Sequence, residues 1–145
     1  MTSKTQLTGI AATHLVAARL SLLGYNAAVT SRNAAGTDVL VENPATARSL
    51  AIQVKANRIR RGSFVTGSAT SPRGRIFVFV TIESHEKPMD PEFYVVRGAD
   101  VNRIRKHKKR RNSDWYWVEI KGIPKRRDPW APVRQALGPP SKSAL

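Results

Sequence analysis

Three polar side chains stand inside two apolar stretches of the sequence that otherwise suit a buried β-sheet. Asp38 lies in TDVLVE, and Gln53 and Lys55 lie in SLAIQVK. Alternate residues of a strand share a face, so Gln53 and Lys55 are expected to point together. Closing ENPATARS as a hairpin brings the two strands side by side. In one register of that hairpin, a carboxylate, an amide oxygen and an ammonium group converge at one end of the sheet.

These groups suit the hydrolysis of a phosphodiester. Mg²⁺ prefers oxygen ligands and binds one or two carboxylates together with waters and a substrate phosphate. Asp38 would supply the carboxylate, Gln53 a neutral side-chain oxygen, and Val54 its main-chain carbonyl. Lys55 would position or deprotonate a water for in-line attack on phosphorus. The pattern therefore predicts a site for Mg²⁺ or Mn²⁺, with Asp38, Gln53 and Lys55 as the catalytic residues.

The elements that position these residues begin with a helix. Ser3 and Gln6 match a capping box and Gly24 is a stop signal, which together predict a helix of about five turns. Apolar residues occur on both sides of it, so burial on more than one side is expected. One apolar side consists of Leu7, Ala11, Leu15, Ala18 and Leu22, and the other of Val16, Leu20 and Leu23.

The rest of the chain changes to short β-type runs separated by turn residues. Strands are predicted in YNAAVTS, TDVLVE, SLAIQVK, SFVTG, RIFVFVTI, EFYVV and WYWVEI. A helix with a basic face is predicted in ADVNRIRKHKK, and a terminal helix in DPWAPVRQAL with Trp130, Val133 and Leu137 inward. Within WYWVEI, Trp115 and Trp117 are expected to pack in the core and Tyr116 to point outward.

The length of 145 residues suits one domain. We expect residues 1–137 to form it, with a basic C-terminal segment at 101–127 and a disordered tail at 138–145.

The apolar stretch 7–25 carries His14 and Arg19 and no evident cleavage site, so neither a signal peptide nor a membrane span is expected. With no cysteine and three scattered histidines, disulfides and the usual Cys/His zinc sites are excluded, and a cytoplasmic protein is expected.

The charge is strongly positive. Lys and Arg number 25 against 10 Asp and Glu, a net charge of +15, which favours a polyanionic partner. The basic runs lack the interleaved Leu and Phe of a membrane-lying helix, so nucleic acid is preferred over a membrane surface. The predicted phosphate contacts are Arg58, Arg60, Arg61, Arg73, Arg75, Arg103, Arg105, Lys106, Lys108, Lys109, Arg110 and Arg111.

The order of these motifs resembles the PD-(D/E)XK, or restriction-endonuclease-like, nuclease superfamily, and is similar to small Holliday junction resolvases within it. The resemblance rests on an apolar helix, LGYNAAVTSRNA, GTDVLV, a hairpin and IQVKAN, over roughly residues 7–100. It implies an α/β fold with a central mixed β-sheet flanked by helices. It also implies that Asp38 is the metal-binding acid, Gln53 the acidic position of the (D/E)xK element, and Lys55 its lysine.

The sequence departs from the superfamily pattern at two positions. Gln53 replaces a carboxylate, and Thr13 stands where relatives carry a Glu in the first helix, with His14 beside it as a candidate accessory ligand. The preferred hypothesis is a Mg²⁺-dependent endonuclease acting on duplex or branched DNA, with a homodimer expected by analogy. The alternatives are a non-catalytic nucleic-acid-binding module on a degenerate nuclease fold and an RNA-binding protein associated with ribosomes.

Overall fold

The computed structural model describes residues 3–31, 36–58, 62–67, 74–82 and 91–140. Three α-helices occur in these ranges: α1 Lys4–Leu22, α2 Gly98–Ile104 and α3 Ala131–Leu137. The strands, in chain order, are β1 Asn26–Val29, β2 Val39–Glu42, β3 Ser49–Asn57, β4 Ser63–Thr66, β5 Ile76–Thr81, β6 Glu92–Arg97, β7 Lys106–Lys109 and β8 Asp114–Glu119.

Five strands form a central mixed sheet in the order β1-β2-β3-β5-β6. β3 and β5 run parallel, and the other neighbouring pairs are antiparallel. All six residues of β5 are buried, which matches its uninterrupted apolar sequence IFVFVT. The mixed α/β class with helices and a central mixed sheet agrees with the prediction from the sequence.

Helix α1 covers one face of this sheet. The Ser3 hydroxyl accepts from the Gln6 backbone, and the Gln6 side chain accepts from the Ser3 backbone, so the predicted capping box is present. The buried residues of the helix are Thr8, Ala12, Val16 and Leu20. The expected burial on more than one side was wrong: the side with Val16 and Leu20 packs on β2 and β3, whereas Leu7 and Leu22 are 47% and 70% exposed.

The opposite face of the central sheet packs on a second, three-stranded antiparallel sheet in the order β4-β8-β7. Phe64 of β4 and Val118 of β8 are buried there with Phe79 of β5, and the rings of Phe64 and Phe79 are 5.0 Å apart. The chain thus builds two apolar layers, one on each side of the buried strand β5.

The helix predicted in ADVNRIRKHKK is only half correct. Helix α2 ends at Ile104, and residues 106–109 form strand β7 instead. The register pairs His107 with Tyr116, and their rings stack 4.3 Å apart. Lys106 also pairs with Glu119 of β8 at 3.1 Å. These contacts across the strands outweigh the helical propensity of a lysine-rich segment.

Helix α3 is held against the central sheet by the buried side chain of Asn43. Its amide donates to the carbonyls of Leu137, Gly138 and Pro139 at 2.8, 3.2 and 3.1 Å. Trp130, Val133 and Leu137 are buried as predicted. The predicted disordered tail was wrong for residues 138–140, because Asn43 and the Tyr25 hydroxyl bind this backbone, while 141–145 lie outside the described residues.

Replacing Asn43 by alanine should lower the free energy of unfolding by about 1–3 kcal/mol, because carbonyls at the end of α3 lose their donor in a buried place. The matched control is Thr46→Ala, since the Thr46 hydroxyl donates to the same Leu137 carbonyl at 3.2 Å from an exposed residue. Urea unfolding of both variants measures the difference. Equal losses of stability in the two variants would show that Asn43 does not hold α3 in this way.

Candidate nuclease-like site

The candidate site lies where strand β3 extends beyond its neighbour β2. The two strands pair from Glu42 and Ser49 to Val39 and Ile52, whereas β3 continues to Asn57 along β5. Residues 53–57 of β3 therefore pair with β5 on one side and are not paired with β2 on the other. Backbone groups on that open edge need other partners.

Asp38 closes the first part of this open edge. Its backbone N–H donates to the carbonyl of Ile52 at 2.8 Å, although Ile52 is registered opposite Val39. Two residues thus oppose one, which is the arrangement of a β-bulge and turns a side chain out of the regular alternation. The Asp38 carboxylate accepts from the backbone N–H of Val54 at 2.7 Å. The Asp38 side chain thus supplies the acceptor that a β2 carbonyl would provide in a continuous ladder.

The segment before Asp38 is fixed from two further sides. The Thr30 backbone donates to the Asp38 carbonyl at 3.0 Å, and the Thr30 hydroxyl donates to the carbonyl of Thr37. Gly36 adopts φ 67°, in the left-handed region, and a Cβ there would lie 2.5 Å from the Arg75 guanidinium. Thr30 and Gly36 were not identified from the sequence as positioning residues, although GTD was a turn signal that pointed to Gly36.

The predicted third ligand, the Val54 carbonyl, shares this edge. The N–H and C=O of one strand residue point to the same side, and the Val54 N–H points at Asp38. The Val54 carbonyl is therefore directed to the open edge beside the carboxylate. Among the described residues no partner side chain reaches it.

Gln53 and Lys55 project from the other face of the strand. Their partners on β5 are Phe77 and Phe79, which belong to the layer facing the second sheet. Ile52 and Val54 point to the α1 side. The carboxylate of Asp38 bonds an in-plane N–H, so it lies level with the sheet, between the face of α1 and the face of Lys55. Gln53 and Lys55 thus lie on one face of β3, while Asp38, which precedes β2, bonds the backbone of β3 from beside it.

A cavity of about 580 Å³ lies on the α1 side of Asp38. Val54, Thr13 and His14 line it together with Asp38. The Thr13 hydroxyl donates to the Gly9 carbonyl at 2.9 Å, so its proton is used and its oxygen can act only as an acceptor. Both candidate accessory residues therefore lie beside the predicted metal-binding acid. Within the described ranges no cluster of three or more His, Cys, Asp or Glu is found.

Lys55 lines a different cavity, of about 550 Å³, between the start of α1 and strand β4. Thr8, Asn57, Val65 and Trp115 also line it. Lys55 forms no hydrogen bond or ion pair with any residue in the described part of the chain. Lys55 is half-buried and shares this cavity with Phe64, so an anion bound there would be a favourable partner for its charge.

The predicted phosphate contacts fall into several groups. Arg58 donates to the Thr8 hydroxyl and to the Lys4 carbonyl, which ties the end of β3 to the start of α1. Arg103 pairs with Asp100 at 2.9 Å, and Arg105 lies 4.7 Å over the Tyr116 ring. Arg60, Arg61 and Arg73 lie outside the described residues.

The strongest cationic cluster is the tip of the β7–β8 hairpin. The Arg110 backbone donates to the Ser113 carbonyl at 3.1 Å, which closes the turn between the strands. Lys108, Lys109, Arg110 and Arg111 are exposed and form no ion pair with any described residue. We call these four side chains the hairpin-tip cations. Lys106, by contrast, is neutralised at the far end of the strand.

Glu119 is the counterion at that far end. It lies 3.1 Å from the Lys106 ammonium and 3.4 Å from that of Lys121. Hydrogen bonds from the side chains of Lys106, Trp117 and Lys121 lower the pKa of Glu119, the one from Lys106 having the largest effect. Glu119 therefore stays ionised around neutral pH and leaves the unpaired positive charge of the β7–β8 hairpin at its tip.

The fold is similar to that of a bacterial homing endonuclease, I-Ssp6803I. The likeness has a TM-score of 0.50 at 17% identity and covers 88% of this chain and 85% of that one. No protein-family model and no curated protein matches the sequence. The likeness thus supports a nuclease type of fold, while no sequence family is assigned.

No helix in the described ranges is long and apolar enough to cross a membrane.

Two substitutions test the structural role of the Asp38 carboxylate. Asp38→Ala should lower the free energy of unfolding by about 1–2 kcal/mol, because it leaves the Val54 N–H without its acceptor. Asp38→Asn keeps an oxygen acceptor and should cost less than about 1 kcal/mol. Chemical unfolding of both variants checks this order. If the asparagine variant were the less stable one, the proposed hydrogen bond would not be what fixes the edge.

Proposed function

We propose that this protein is a metal-dependent endonuclease that hydrolyses phosphodiester bonds in DNA. The observation that carries the proposal is the Asp38 carboxylate, fixed 2.7 Å from the Val54 N–H at the open edge of β3, with Lys55 one residue further along that strand. Support comes from the fold, which resembles that of a homing endonuclease. In this proposal the chain is a divergent PD-(D/E)XK nuclease with Gln53 in the second acidic position.

The donor set at this edge fits a hard divalent cation that has few protein ligands. Asp38 uses one carboxylate oxygen for Val54, which leaves the other oxygen and the Val54 carbonyl at the same edge. Mg²⁺ commonly takes one or two carboxylates and completes its shell with waters and substrate phosphate. Mg²⁺ or Mn²⁺ bound here would polarise the phosphoryl oxygens and offset the charge that develops in hydrolysis.

The residues of the chain supply orientation and charge. The bulge and the Val54 hydrogen bond hold the Asp38 carboxylate in one place, so its free oxygen is preorganised. Lys55 has no counterion among the described residues, and its ammonium group would neutralise the scissile phosphate and position the attacking water by donating a hydrogen bond. The Gln53 amide, on the Lys55 face, would accept or donate a hydrogen bond to the same substrate group.

DNA as the substrate follows from the charge and its distribution. The net charge is +15, and the hairpin-tip cations are unpaired within the described residues. Clustered like charges repel one another, and binding the phosphate backbone relieves that repulsion and releases counterions. Whether the substrate is duplex or branched, and whether the protein acts as a homodimer, remain predictions from the sequence.

A non-catalytic DNA-binding module is the second candidate. One observation favours it: Asp38 is the only acidic residue lining the cavity that contains Thr13 and His14, as far as the chain is described. A single carboxylate binds Mg²⁺ weakly. Such a protein would keep the fold and the basic hairpin but would not hydrolyse DNA.

Nicking of plasmid DNA and of four-way junctions tests the two candidates. We expect cleavage in Mg²⁺ or Mn²⁺, none in EDTA, and a loss of at least about 100-fold in Asp38→Asn and in Lys55→Ala. Both variants should remain folded, because Asp38→Asn keeps the Val54 acceptor and Lys55 has no described partner to lose. The control is Arg48→Ala, which removes an exposed cation from the turn between β2 and β3, at the other end of β3 from Lys55.

Two other outcomes would contradict the nuclease proposal. If the wild-type protein cuts no substrate while Thr13→Glu, which adds a carboxylate to the Asp38 cavity, does cut, the protein is a binding module on a nuclease fold. If neither these proteins nor Gln53→Glu cut, and no cation affinity is found by calorimetry with DNA present, the site at the β3 edge is not a metal site.

The salt dependence of duplex affinity tests the hairpin-tip cations. Replacing Lys108, Lys109 and Arg111 by alanine should make the log–log salt slope shallower by about 0.9 for each phosphate that the variant no longer neutralises. Lys106→Ala is the matched control, since that lysine already pairs with Glu119 and should change the slope by less. Fluorescence anisotropy between low and high salt measures both slopes. Equal changes in the two proteins would mean that the hairpin tip is not the phosphate-binding surface.

A further inference from the structure

The second sheet exposes a tryptophan that a globular core would bury. Trp115 and Trp117 share a face of β8, as predicted from the sequence, but that face is the outer one, because the neighbouring Val118 fills the core instead. Trp115 is 41% exposed, and Val65 on β4 is 59% exposed. The prediction that Trp115 packs in the core was therefore wrong. Exposed apolar side chains that adjoin one another mark binding sites more often than singly scattered ones do.

The indole of Trp115 is held in place by a cation. The Arg110 guanidinium lies 4.4 Å from the centre of the ring, in cation–π contact, on the turn that joins β7 and β8. Lys108 is registered directly opposite Trp115. The ring therefore has two positive charges beside it, and neither is paired with a described carboxylate.

Trp115 also lines the 550 Å³ cavity that contains Lys55. Cavities of about 300–1,000 Å³ hold small ligands, so this one has room for a nucleotide. Its lining includes the aromatic residue Trp115 and the apolar Val65 together with the polar residues Lys55 and Asn57. An aromatic ring and a cation that line one cavity can bind a nucleobase and its phosphate together. We call this cavity the base recess.

A paired base in an intact duplex cannot use this recess, because base pairs above and below cover both of its faces. A base in a single strand, a fork or a junction is exposed and can stack on an aromatic ring. A protein partner is disfavoured by the charge, because Glu119, the one acid of this sheet face in the described chain, is already bound by Lys106 and Lys121.

We propose that Trp115 stacks an unpaired base of the DNA beside the phosphate that Lys55 engages, which selects substrates with an unpaired nucleotide. This inference rests on the proposed function, since it assigns the substrate class of the same site. Arg110 and Lys108 would contact the flanking phosphates, and Val65 would pack against the sugar. The base recess lies on the face of β3 opposite to the cavity of Thr13 and His14.

Binding in EDTA, where no cleavage occurs, tests the stacking apart from the chemistry. The probes are an oligonucleotide of single-stranded dT, the same length of duplex, and a single strand with one 2-aminopurine, whose fluorescence is quenched when it stacks. Trp115→Ala should weaken single-strand binding by roughly 5- to 100-fold, the range for removing one aromatic ring from a stacked base. Duplex affinity should change by less than about threefold, because paired bases do not reach the ring. The 2-aminopurine quenching should disappear.

Trp115→Phe and Trp117→Phe are the matched variants. The first keeps a ring and should keep most of the quenching, and the second removes an indole from the same strand face without touching the recess. Equal loss of single-strand and duplex binding in Trp115→Ala, or quenching that survives it, would overturn the proposal. Absence of cleavage in Mg²⁺ by the wild-type protein would instead count against the nuclease function and leave the stacking result standing.

Discussion

The hydrogen bond from the Val54 N–H to the Asp38 carboxylate is the contact on which the candidate site depends. Strand β3 needs an acceptor at the point where β2 stops, since an unsatisfied backbone donor in a partly buried place costs about 1–3 kcal/mol. A carboxylate meets that need and still keeps one oxygen free. The same residue thus ends the strand pairing and supplies the negative charge, so the site is built from a structural requirement of the sheet.

Helix α1 and most strands could be predicted because the residues that specify them are neighbours in the sequence. The capping box of α1, the turn residues around each strand and the apolar run of β5 depend on neighbouring residues alone. The end of α2 could not be predicted in this way. Lys106 and His107 leave the helix because Lys106 forms an ion pair with Glu119 and the His107 ring stacks on Tyr116. Both partners belong to β8, which lies outside the helix and follows it in the sequence. The contact of Asn43 with the Leu137 carbonyl is far more remote, because 94 positions separate the two residues.

The predicted residues Asp38, Gln53 and Lys55 show what the alternation of side chains along a strand can and cannot predict. Alternation correctly placed Gln53 and Lys55 on one face of β3. It could not place Asp38, because the bulge opposite Ile52 changes where that side chain points. For the tryptophans, alternation correctly gave them a shared face, yet which face is buried depends on whether Phe64 and Val118 or Val65 and Trp115 meet the central sheet. Sequence periodicity determines which residues share a face, and packing decides which face is buried.

The pairing of β7 with β8 determines where the positive charge of residues 106–111 lies. If residues 106–109 had remained helical, their cations would have spread around the helix. As strand β7, they alternate between the two faces and end in a four-residue turn, while Glu119 neutralises the end nearest the core. The unpaired charge is thereby carried to the hairpin tip, next to the exposed ring of Trp115. Because Trp115 and Lys55 line one cavity, the surface that we propose binds the phosphate backbone adjoins the lysine in the unpaired stretch of β3.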